Sequence, residues 1–208
     1  VRLDISLVMP NYTGSTGFGR KFVDALVGKI GTNDIVDVID VIEFNKKEGF
    51  NNIGISGGSH GGFITAWVST KQIDLKCAVL RNPVIHLGVV GAQGDIPDWA
   101  FAEAGVRWDM ESPPPFATEC EYKVLLEKSP ISSVKQIGKF PSLIMLGSID
   151  RRVPNYDGRL WARAIGPELS RVLIFPGEGH PLSGPSAEIA SGIASAAFVA
   201  SRFKLSTV

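Results

Sequence analysis

The sequence predicts an α/β fold, a mostly parallel sheet covered by helices on both faces. Three observations point there. Short apolar runs alternate with stretches of helical periodicity along the 208 residues, as repeated strand–helix units require. The strand candidates are near-continuous apolar runs, the pattern of strands buried on both sides. Turn signals such as G-G-S-H-G-G and N-P stop these strands at their carboxyl ends, where open α/β sheets place ligands.

Taken in order, Ile5 to Met9 (I-S-L-V-M) reads as a strand, followed by the turn N-Y-T-G-S-T-G-F-G. A helix then opens at Thr32 or Asn33, with Ile35, Val38, Ile39 and Ile42 at i, i+3, i+4 and i+7. Residues 52–56 (N-I-G-I-S) read as a strand and 63–70 as a helix, and Lys76 to Arg81 (K-C-A-V-L-R) form a strand stopped by N-P. Residues 83–130 read as irregular: P-P-P at 113–115 forbids regular structure there, and 119–128 suits a short helix. Order returns with a strand at 142–146, a helix at 156–165, a strand at 171–175 and a last helix over about 187–203. The last helix is rich in alanine and small residues, as a closely packed covering helix would be. No repeat or low-complexity segment interrupts the pattern, so one domain is expected.

Composition narrows the function classes. Lysine and arginine balance aspartate and glutamate at 21 each, which gives no electrostatic case for nucleic acid or an anionic membrane. The apolar runs fall well short of the roughly 18 residues that mark a membrane span, and no charged-then-apolar leader is seen. Cys77 and Cys120 fit no metal or disulfide spacing, so free thiols in a reducing compartment are expected.

The chemistry is concentrated at residues 57–62, G-G-S-H-G-G, between a strand and a helix. Gly57, Ser59 and Gly61 make G-x-S-x-G, the pattern of a sharp turn that projects a nucleophilic serine from a sheet. A phosphate-binding turn is the competing reading, but the stretch is neither G-x-G-x-x-G nor a loop followed by G-K-[ST]. Glycines around Ser59 would let strand and helix approach while the serine takes strained backbone angles. A serine hydroxyl needs a base, and the base an orienting carboxylate. Three histidines are available. His60 lies inside the elbow, where adjacent side chains diverge, and His86 reads as an ordinary loop histidine. His180, in F-P-G-E-G-H-P-L-S past the last strand, is the candidate base. Asp150, in L-I-M-L-G-S-I-D-R-R-V-P, is the candidate carboxylate, with Arg151 and Arg152 expected to keep it ionised. A helix cap or a salt-bridged turn residue is the plainer reading of Asp150. The order Ser59, Asp150, His180 is that of the α/β-hydrolases.

Several stretches together resemble the catalytic domain of acylaminoacyl peptidases (acyl-peptide hydrolases), within the prolyl oligopeptidase family of serine peptidases. They are N-Y-T-G-S-T-G-F-G at 11–19, G-G-S-H-G-G-F at 57–63, R-N-P-V-I at 81–85 and D-I-P-D-W at 95–99. K-S-P-I at 128–131, M-L-G-S-I-D-R-R-V-P at 145–154 and H-P-L-S at 180–183 complete the set. The resemblance implies release of an N-acylated amino acid from the amino end of short acylated peptides, in the cytoplasm, with no cofactor and no metal. It implies Ser59 as nucleophile, His180 as general base and then acid, Asp150 as its orienter, and the backbone N–H of His60 as one oxyanion donor. Arg152 is similar to an arginine that orients substrate in related enzymes; a structural salt bridge is the alternative reading.

The chain departs from the family in two places: Thr13 stands where arginine is usual, and Pro10 interrupts the first strand. Members also carry a β-propeller and then an H-G-G-P loop with a second oxyanion donor ahead of this region. The resemblance therefore implies that residues 1–208 are an N-terminally incomplete α/β-hydrolase domain without the propeller, its sheet lacking the first strands and left with an unpaired edge. Homo-oligomers are expected from the resemblance for the full-length protein. Two alternatives stay open: an esterase of the same fold, and a catalytically impaired fragment that binds acylated peptides.

Overall fold

A computed structural model describes residues 4–109, 111 and 117–205; the P-P-P stretch at 113–115 lies outside the described residues. In chain order the elements are α1 (Arg20–Asp24), α2 (Asn33–Lys47), β1 (Gly54–Gly58), α3 (His60–Ser69), β2 (Cys77–Arg81), α4 (Leu87–Gln93) and α5 (Pro97–Ala104). There follow α6 (Glu119–Glu127), a 3₁₀ segment (Pro130–Gln136), β3 (Ser142–Gly147), α7 (Asn155–Ile165), β4 (Ser170–Phe175) and α8 (Pro185–Phe203).

The sheet is β1-β2-β3-β4, parallel throughout. Strand alternation divides its side chains between two cores. Ala78 and Leu80 of β2 and Ile144 and Leu146 of β3 join one cluster with α2, α3, α5 and α7, built around Ile35, Phe63, Trp67, Phe101 and Trp161. Cys77, Val79, Leu143 and Met145 point the other way, onto Leu182 and Phe198 of the α8 side. Each fully buried Leu, Ile or Phe contributes roughly 1.5–3 kcal/mol. The strands progress in sequence across the sheet because their crossovers pack against the first of these faces, as the preferred hand of parallel connections requires.

Four local expectations are corrected. Residues 5–9 form no strand: they join no ladder among the described residues, and Leu7 and Met9 are 80% and 79% exposed. An apolar run becomes a strand only where a partner supplies hydrogen bonds, and among the described residues β1 pairs with β2 alone. The strand placed at 52–56 runs instead through Gly57 and Gly58, and its helix starts at His60 rather than 63. Within 83–130 the described residues are not wholly irregular but hold α4 and α5 ahead of the expected α6. Pro97 at the first turn of α5 and Gly105 in the left-handed conformation at its end are ordinary start and stop signals. The short α1 had no counterpart in the periodicity. The remaining elements lie within a few residues of their expected bounds, and Thr118 opens α6 with a full capping box to Glu121.

Candidate active site

Ser59 sits between β1 and α3 with φ 57° and ψ −120°, in the half of conformational space that side chains avoid. Its backbone N–H donates to the Arg81 carbonyl at 2.9 Å, and its carbonyl accepts from Phe63 N–H at 3.0 Å. The turn is therefore locked to the end of β2 on one side and to the first turn of α3 on the other. Glycine is required at two flanking positions. A Cβ on Gly57 would clash with the Gly61 carbonyl, and one on Gly62 would lie 2.7 Å from Pro83 Cα. Gly61 differs, since a Cβ there meets nothing within 4 Å. The Ser59 hydroxyl makes no hydrogen bond among the described residues, and no partner occupies the His60 N–H, a free donor at a helix start.

Asp150 and His180 meet: His180 Nδ1 donates to Asp150 Oδ2 at 2.7 Å, with the carboxylate buried and the imidazole partly open. The other Asp150 oxygen accepts the N–H groups of Arg152 and Val153 at 2.8 and 3.0 Å. One Asp150 oxygen thus shapes the turn, as the plainer reading has it, while the other hydrogen-bonds the His180 imidazole. The Arg152 side chain turns to Asp95 rather than pairing with Asp150. Arg152 Nε and Nη2 pair with Asp95 at 2.8 and 3.4 Å, and its guanidinium holds the Asp95 carboxyl below its ordinary range. The Arg152–Asp95 bridge, together with Asp95 N–H donating to the Arg151 carbonyl at 2.9 Å, ties the start of α5 to the Asp150 loop.

Asn82 connects these pieces, and the sequence reading had treated it only as the break after β2. It is buried, with φ 42°. Its Oδ1 accepts from Gly147 N–H at 2.8 Å, and its Nδ2 donates to the His180 carbonyl at 2.7 Å. One side chain therefore fixes the end of β3, which leads to Asp150, and the loop that carries His180. The preceding residue, Arg81, holds Ser59. Gly147 has no room for a Cβ against the carbonyls of Glu178 and Gly179, which keeps that loop on the sheet.

The other two histidines have different duties. His86 caps α4 by accepting from Gly88 N–H at 3.1 Å, and it bonds Tyr122 Oη at 3.0 Å. It lies in the loop ahead of α4, as expected, but is buried there, and burial lowers its pKa. His60 turns its ring away from the elbow to Tyr12 and Asp34, each at 3.3 Å. Thr13, standing where arginine was expected, donates its N–H and Oγ1 to Asp37 Oδ2 at 2.7 and 2.6 Å, tying the 11–19 turn to α2. Among the described residues no group of three or more His, Cys, Asp or Glu side chains could hold a metal ion. No helix there is long and apolar enough to cross a membrane.

The sequence profile of the Prolyl oligopeptidase family matches residues 1–206. The human acylamino-acid-releasing enzyme is 36% identical over 188 residues, covering 88% of this chain and 25% of that protein. Acylamino-acid-releasing enzyme 2 of Oryza sativa subsp. japonica is 33% identical over 200 residues, covering 91% of this chain and 25% of that protein. The chain thus spans about a quarter of the length of these relatives. Among solved structures, a puromycin-hydrolyzing peptidase of Mycobacterium tuberculosis superimposes with a TM-score of 0.79 at 25% identity, over 94% of this chain and 29% of that one. Uncomplexed Pyrococcus horikoshii acylaminoacyl peptidase gives 0.75 at 21% identity, over 95% and 32%.

Proposed function

The chain belongs to the prolyl oligopeptidase family, and from that membership we propose that residues 1–208 form one catalytic domain hydrolysing peptides through a covalent ester on Ser59. The Asp150–His180 hydrogen bond, anchored by Asn82 next to the residue that holds the elbow, carries this reading. With Asp150 on Nδ1, the free Nε2 of His180 takes the Ser59 proton as Oγ attacks the scissile carbonyl. The developing oxyanion accepts the His60 N–H. The imidazolium then protonates the leaving amine, and water, activated by the same histidine, releases the acyl group. Arg152 bears on substrate through the α5 segment that it clamps.

The substrate class is an N-acylated amino acid at the amino end of a short peptide, supported by relatives named for releasing acylamino acids. No cofactor enters these steps. Action in the cytoplasm agrees with two cysteines that are both free. Hydrolysis of acetyl-alanine anilide compared with a short-chain nitrophenyl ester tests the reading. A peptidase turns over both, and Ser59→Ala lowers both by about 10⁴–10⁶-fold. Cleavage of the ester alone would make the domain an esterase, and peptide binding without turnover would make it a binding module; either outcome overturns the proposal.

A further inference from the structure

The His60 side chain is held far more closely than a bystander needs. Its Nδ1 hydrogen-bonds Tyr12 Oη and its Nε2 hydrogen-bonds Asp34 Oδ2, each at 3.3 Å. Three aromatic rings enclose it: Tyr12 and Trp99 edge-on at 5.5 and 6.0 Å between centroids, and Phe63 tilted at 5.6 Å. Asp34, in the first turn of α2, is fully buried, also accepts the Gly31 N–H at 3.2 Å, and leaves Oδ1 without a partner. Glu103 on α5 belongs to the same cluster and has a buried, unpartnered Oε2. Burial pushes its carboxyl above the ordinary range; His60 opposes this and Asp34 adds to it. A buried carboxylate with an unmade bond costs on the order of 1–3 kcal/mol. The fold keeps this arrangement around the residue that follows Ser59.

We propose that Asp34 and Tyr12 are positioning residues for the oxyanion: by gripping both imidazole nitrogens they anchor the His60 Cα and so, with the Phe63 bond to the Ser59 carbonyl, steady the aim of the His60 backbone N–H. This rests on the hydrolase reading of Ser59. The peptide between Ser59 and His60 is held at its oxygen by Phe63 N–H and, beyond it, through the His60 side chain by Tyr12 and Asp34, and a strained turn persists only where its surroundings over-determine it. A donor contributes to turnover only when aimed at the place where charge develops.

Four variants of the chain test this, read by kcat and KM on acetyl-alanine anilide, the rate of fluorophosphonate labelling at Ser59, and Tm. His60→Phe keeps the ring packing but removes both nitrogens, and is expected to lower kcat and the labelling rate about 10–100-fold with KM little changed. His60→Gln, which returns an amide donor toward Asp34, recovers most of that loss. Asp34→Asn and Tyr12→Phe lower kcat by smaller factors in the same direction. Should the other variants fail to fold, Tyr12→Phe, which removes one oxygen, decides alone. His60→Phe matching the wild type in kcat, or losing only Tm, overturns the assignment while leaving the hydrolase reading intact. Failure of the wild type to label at Ser59 overturns both.

Discussion

A serine at φ 57° and ψ −120° carries strain on the order of 1–3 kcal/mol, and Ser59 stays there because Arg81 and Phe63 hold its two backbone groups. Asp157 shows the same economy at a second residue. Buried in α7, it accepts the N–H groups of Ile85 and His86 at 2.8 and 3.0 Å, while its other oxygen has no partner. Burial raises its pKa from 3.8 to about 7, with the two N–H bonds opposing. The sign follows from proton counting. Between the two values the native chain keeps a proton that the unfolded chain has released, so stability falls as pH rises through this window. Asp157→Asn keeps an acceptor for both N–H groups and cannot ionise. Its Tm is expected to stay flatter than that of the wild type from about pH 4 to 7, with the wild type losing several degrees relative to it. Parallel melting profiles would show that Asp157 does not titrate there.

At the level of elements, the strand-to-helix turn makes the sharpest demand on sequence. The added methyl of Gly62→Ala meets Pro83 at 2.7 Å and should cost about 1–3 kcal/mol in urea unfolding. Gly61→Ala has open space and lies in a helix, so its stability should stay within about 0.5 kcal/mol; a large loss there would mean that the turn is crowded differently. G-x-S-x-G therefore marked the elbow correctly, but the spacing could not tell which of its glycines is sterically fixed. Strands β2, β3 and β4 were readable because each is an apolar run flanked by turn residues, β2 and β3 buried in the parallel sheet and β4 half-buried beside β3. The run at 5–9 carried the same signal without a partner strand, which no local pattern reveals. Helices α4 and α5 are short, and α4 carries two glycines, so their periodicity was weak even though Pro97 and Gly105 punctuate α5. The pairing of His180 with Asp150 was legible because loop residues that follow parallel strands lie at one end of the sheet. Asn82 escaped notice since its role lies wholly in long-range bonds, to Gly147 and His180.

Across the whole molecule, three separate crossovers bring the reacting groups to the carboxyl end of one sheet. β1 delivers Ser59, β3 leads to Asp150, and β4 leads to His180, while α5 and α2 close around His60. Asp150 and His180, 30 residues apart, are joined there by a hydrogen bond, and Ser59 sits at the carboxyl end of β1 in the same sheet. Among the described residues β1 has a single strand neighbour, β2, and Leu7 and Met9 are exposed and join no ladder. The most direct measurement is intact-mass and peptide mapping of the chain after exposure to a fluorophosphonate. One adduct on Ser59, lost in His180→Ala, is the result expected of a hydroxyl activated by that imidazole. An unmodified Ser59, or labelling that survives removal of the imidazole, would contradict it.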